Sequence, residues 1–117
     1  GAAVGVGKIL NFGQQKMANA IGIAGYFCPP NTHRKWTDTA PVAMTKYGSS
    51  GWGAKGGVTA ALLADEGYVG DSDIFEGDRC FWRFTGSEHW NPDTVVKDLG
   101  RKWVSRAISY KQYPCGL

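Results

Sequence analysis

A chain of 117 residues with 43% hydrophobic and 13% aromatic residues can bury a core, which excludes a disordered segment, and it suffices for one domain but not two. The net charge is +3 and basic residues never run longer than the pairs Arg34-Lys35 and Arg101-Lys102, so the dense basic stripe of a nucleic-acid-binding surface is missing. Three cysteines (Cys28, Cys80 and Cys115) without Cys-x-x-Cys spacing argue against a disulfide framework and a zinc knuckle, and predict a reducing compartment.

No apolar run approaches the roughly 18–20 residues of a membrane span, and the first residues lack the basic-then-apolar layout of a signal peptide. The expectation is a cytoplasmic protein with no membrane partner. Seventeen glycines, roughly twice the usual share, are scattered rather than repeated, which points to tight turns and close backbone approach.

In chain order, Ala2 to Leu10 reads as a buried helix of small residues, ended at Asn11-Phe12-Gly13 by a left-handed glycine. Gln14 to Gly25 follows, with Met17, Ala20, Ile21 and Ala24 on one face, and Cys28-Pro29-Pro30-Asn31 stops it. Asn31 to Pro41 is polar and irregular, and its His33, Arg34, Lys35 and Trp36 mark an ordered surface loop. Ser50 to Asp65 reads as the central helix, with Ala54, Val58, Ala61 and Leu62 as its apolar stripe. Each interior glycine costs about 1 kcal/mol relative to alanine, so this helix makes sense only if other backbones press against it.

Glu66-Gly67 closes that helix, and Asp71 or Ser72 is placed to cap a short one around Ile74 and Phe75. A further short helix is expected over Cys80 to Phe84, whose aromatics read as core. Asn91-Pro92-Asp93 combines a capping side chain, a proline at the first helical position and an acid at the positive dipole end, and its helix should run to Leu99 and stop at Gly100. Val104 to Lys111 alternates apolar and polar residues and reads as a strand, alone at the end of the chain.

Three blocks carry a family resemblance. They are Thr45-Lys46-Tyr47-Gly48 before the small-residue helix Gly56-Gly57-Val58-Thr59-Ala60-Ala61-Leu62-Leu63-Ala64, then Ile74-Phe75-Glu76-Gly77, then Tyr110-Lys111-Gln112-Tyr113-Pro114-Cys115. Together with Phe81-Trp82-Arg83-Phe84-Thr85-Gly86-Ser87-Glu88, and in this order, they resemble the MmgE/PrpD family of 2-methylcitrate dehydratases, cis-aconitate decarboxylases and iminodisuccinate epimerases. The resemblance implies a mainly α chain: residues 1–103 as part of the all-helical domain, and 104–117 as the first strand of a smaller α+β domain. It also implies cofactor-independent lyase or isomerase chemistry, an oligomer (commonly a homodimer), and a small polycarboxylate substrate.

Such chemistry removes or moves a proton beside a carboxylate, so it needs cations to hold carboxylates and a general acid and base. By the resemblance, Lys46 and Lys111 are the substrate contacts and candidate catalytic groups. By residue pattern alone each is an ordinary solvated lysine. His33, in the loop before Lys46, is a further substrate-binding candidate, whereas His89 reads as a surface-loop residue. Neither histidine has metal-ligand spacing. The family's catalytic histidine and aspartate would come from sequence upstream of Gly1, so a complementary chain is the expected partner. One departure stands out: where many relatives have Lys-x-x-x-His-Gly, this chain has Lys46-Tyr47-Gly48-Ser49-Ser50-Gly51, and serine is neither a cation nor a neutral-pH base. Cys115 is followed by Gly116 instead of the family's second cysteine, and reads as packing. Two other readings stay open: a non-catalytic truncated relative that binds a full-length homologue, and a basic-surface module using Arg34, Lys35, Arg101 and Lys102.

Overall fold

A computed structural model of the protein describes residues 1–28, 38 and 40–113. It is mainly helical: α1 spans Ala2–Ile9, α2 Gln14–Tyr26, α3 Ser49–Asp65, α4 Phe81–Phe84 and α5 Pro92–Val96, with 3-10 turns at Met44–Tyr47 and Val104–Ala107. The first three helices pack on one another, and the Met44–Tyr47 turn leans on α3.

The α1–α2 corner is made by backbone. Phe12 N–H donates to the Gly7 carbonyl at 2.8 Å and Asn11 N–H to that of Lys8 at 3.2 Å, while Asn11 itself takes the left-handed conformation at φ 55°. That role was expected of Gly13, which instead precedes α2 with an extended backbone. Asparagine tolerates this region because its short side chain crowds the carbonyl little.

At the far end of α3, Gly67 is left-handed at φ 88°, its N–H donates to the Ala64 carbonyl, and Tyr68 N–H donates to that of Leu63 at 2.9 Å. This is the paired 5→2 and 6→1 closure that glycine permits, and it stops the helix where the sequence indicated.

The core is built of small side chains: Ala20, Ile23, Ala60, Ala61 and Ala64 are buried, with Val6, Phe12, Ala24 and Leu63 packed partly against them. Small residues let helices approach closely. An added Cβ at Gly57 would lie 2.7 Å from Ala2 Cβ and 2.8 Å from Ala3 N, and one at Gly22 would run into the backbone of Asp71. The long α3 therefore does have backbone pressed against it, on one side.

The buried line of α3 differs from the expected one. Gly57, Ala60, Ala61 and Ala64 face the core, while of the predicted stripe only Ala61 is buried and Ala54, Val58 and Leu62 are exposed. A helix apolar all round gives no periodic clue to its inner face. The result inverts the usual distribution, with alanines inside and Tyr26, Trp52 and Leu62 outside. Burying a methyl contributes roughly 1 kcal/mol, so this core is thin for the surface it leaves uncovered.

Residues 71–78 form successive turns where a helix around Ile74 and Phe75 was expected. Asp71 accepts a 2.9 Å hydrogen bond from Asp73 N–H through its side chain, which closes a local turn in competition with a helix. Ile74 is nonetheless buried, and beside it Phe75, Trp82 and Trp90 stack: ring centroids lie 5.5 Å apart for Phe75 and Trp82, and 4.2 Å for the two indoles. The reading of aromatics as core holds for the half-buried Phe81 and Trp82 but not for Phe84, which is exposed.

Asn91 caps α5 as expected, its side chain accepting from Thr94 N–H, yet the helix gives way to turns after Val96 and reaches the left-handed Gly100 through them. The expected strand over Val104 to Lys111 is a correction. Val104–Ala107 is a 3-10 turn, the residues after it are irregular, and there is no strand among the described residues. Alternation stabilises a strand only when a neighbour supplies hydrogen bonds and a core face; here every residue from Asn91 to Tyr113 is exposed.

Candidate functional site

Lys46 sits in the 3-10 turn two residues before Gly48, the N-cap of α3. The turn is held by Lys46 N–H donating to the Ala43 carbonyl and Gly48 N–H to that of Thr45, each at 3.1 Å. Tyr47 follows, with the Lys46 ammonium 5.3 Å from the centre of its ring. Gly48 caps α3 without any side-chain hydrogen bond, and the first turn contains no acid.

The consequence is electrostatic. The unsatisfied N–H groups and the dipole of a 17-residue helix concentrate positive potential at its start, and Lys46 adds a full charge on the same side. Lys46 is half-buried, so its charge is less screened than that of a fully solvated lysine. A carboxylate arriving there gains from both sources. Ser50 lies in the first turn of α3 and is exposed.

The other named candidates are placed differently. Lys111 is exposed in the irregular segment after the second 3-10 turn. His33 lies outside the described residues, as do Arg34, Lys35 and Cys115. His89 is on an exposed loop, its carbonyl accepting from the Ser87 hydroxyl at 3.0 Å. Arg101 and Lys102 are exposed. Cys28 is exposed, and Cys80 is a buried free thiol.

A groove of about 560 Å³ opens between the start of α1, the end of α2 and the first half of α3, with Ala2, Ala24, Phe27, Trp52 and Gly56 among its walls. It is mostly apolar, and neither Lys46 nor Lys111 lines it. Sequence reading missed it, because its walls come from three helices and its floor is glycine and alanine, which carry no periodic signal. Lys55, on its rim, holds its ammonium 5.3 Å from the Trp52 ring centre, an exposed cation–π contact.

Among the described residues no three His, Cys, Asp or Glu side chains form a group able to hold a metal ion, and no helix is long and apolar enough to cross a membrane. The model of the MmgE/PrpD N-terminal domain matches residues 1–92. No curated protein and no solved structure matches the chain.

Proposed function

The chain belongs to the MmgE/PrpD family, and from that premise we propose that it supplies part of a cytoplasmic, cofactor-independent lyase or isomerase acting on a small polycarboxylate. The reaction is dehydration, decarboxylation or epimerisation beside a carboxylate. The observation that carries the reading is Lys46: a half-buried lysine just before the start of α3, whose N-cap makes no side-chain hydrogen bond and whose first turn holds no acid, in the family's N-terminal domain. Its part is to hold a substrate carboxylate and to offset the negative charge that grows on the adjacent carbon as the proton leaves. Lys111 is assigned the second carboxylate and His33 a supporting contact. In this reading residues 104–117 lead toward a second, smaller domain, and the acid–base groups come from a complementary polypeptide.

The inverted core supports a partner of that kind. Large apolar side chains remain at the surface while alanines fill the inside, as expected of a body that gains cover on assembly. The same observation favours the second reading, a non-catalytic relative that binds a full-length homologue.

The test adds the remaining family sequence as a separate polypeptide and follows turnover of 2-methylcitrate or cis-aconitate. The chain alone should be inactive and the mixture active, and Lys46→Ala should lower kcat/KM by about 100-fold, equivalent to roughly 2.7 kcal/mol. Full activity in the complemented Lys46→Ala variant would remove Lys46 from the site. Binding of tricarboxylate without turnover, with every partner present, would decide for the non-catalytic reading.

A further inference from the structure

A smaller cavity of about 270 Å³ opens where the chain leaving α3 runs past the last turns of α2. Its floor is backbone held at close range. A Cβ at Gly22 would run into the backbone of Asp71, and one at Gly70 would lie 2.8 Å from Ile23 N. Its rim is aromatic: Tyr26, Phe27 and Tyr68 line it, and each is more than half exposed. The rings of Tyr26 and Phe27 stand at 78° with centroids 5.2 Å apart, so together they make a corner.

The electrostatics of the cavity have one sign. Asp71 lines it, and no lysine, arginine or histidine among the described residues does. Helix α2 ends at Tyr26, so the negative end of its dipole falls at the same place, and its last turn holds no base. The segment that forms the other wall belongs to a run from Asp65 to Asp78 with six acids and no base. Aromatic faces, a carboxylate and a helix carboxyl end all favour a cation.

We propose that this cavity binds a quaternary ammonium head group. A primary ammonium or a guanidinium brings N–H donors, each of which needs an acceptor on entering a cavity. One carboxylate lines this one, and its Oδ1 already accepts from Asp73 N–H at 2.9 Å. A quaternary head brings no donor. It draws on the ring faces and on the charge of Asp71 without requiring a hydrogen bond. The ligand is a cation, opposite in charge to the polycarboxylate of the lyase reading, so the two sites stand or fall separately.

The test titrates the full chain with choline and follows the backbone amides by NMR. Saturable shifts should centre on Gly22, Tyr26, Gly70 and Asp71, and the uncharged tert-butyl analogue of choline should bind at least about 5-fold more weakly. Tyr26→Ala, Tyr68→Ala and Asp71→Asn should each weaken choline binding about 5-fold. Asp71→Asn keeps an oxygen for the Asp73 N–H, so it removes the charge without opening the turn. Trp52→Ala, which removes an exposed ring elsewhere on the surface, should leave binding unchanged. A trimethyl-lysine peptide is the second probe. Tighter binding than choline would assign the head group to a protein chain, and equal or weaker binding to a free small molecule; both uphold the site. Absence of saturation by either probe would overturn the proposal. So would equal affinity for the uncharged analogue, guanidinium binding as tightly as choline, or indifference to all three cavity variants.

Discussion

Gly56 and Gly57 are neighbours on one helix and answer to different physics. A Cβ at Gly57 would press on Ala2 and on the backbone of Ala3, whereas at Gly56 it would meet nothing within 4 Å. Gly51 and Gly53 resemble Gly56, and Gly22, tight against the backbone of Asp71, resembles Gly57. The glycines of the packed class set the distance between chain segments. Those of the open class lower helix stability with no return inside this chain, and two of them, Gly53 and Gly56, line the groove.

Substitution separates the two classes. The largest effect belongs to Gly22→Val, which forces the 70–74 segment off α2; a loss of about 3 kcal/mol is expected in denaturant unfolding. Gly57→Ala gains about 1 kcal/mol of helix propensity and loses more to the contact with α1, for a net loss of about 1–2 kcal/mol. Gly56→Ala keeps the gain alone and should raise stability by about 1 kcal/mol, read as a higher Tm for the single chain. If Gly56→Ala destabilised it as much as Gly57→Ala, the distinction between packed and open faces would fail. The smallest effect falls on the Lys16–Asp65 pair, whose side chains are both over two-fifths exposed. Lys16→Met should cost no more than about 0.5 kcal/mol, and the cost should vanish in high salt.

The existence and limits of the first three helices were legible because their stop signals are local. Gly67 needs only its own φ to end α3, and Gly13 precedes α2 without reference to anything distant. Which side of α3 is buried was not legible. Alanine, glycine, valine and leucine surround the helix, so the choice is made by where α1 and α2 press, information that lies outside the window.

The strand expected over Val104 to Lys111 failed for a related reason. Alternation describes a side-chain pattern, and pairing requires a second strand, absent from the described residues. Asn11 took the left-handed turn two residues before the glycine expected to do so, a choice between two tolerant residues that composition leaves even. At the site, Lys46 was legible only through the family's motif. Its surroundings, the 3-10 turn and the bare start of α3, appear only in the folded chain.

The two indoles stacked 4.2 Å apart give this molecule a built-in optical reporter. Coupled transitions of Trp82 and Trp90 should add an exciton band to the far-ultraviolet circular dichroism, distinct from the helical signal. The stack joins α4 to the loop before α5, away from the α1–α3 core. Losing that band while helicity persists would reveal that the aromatic module opens separately, so a single spectrum can ask whether the chain melts as one unit or two.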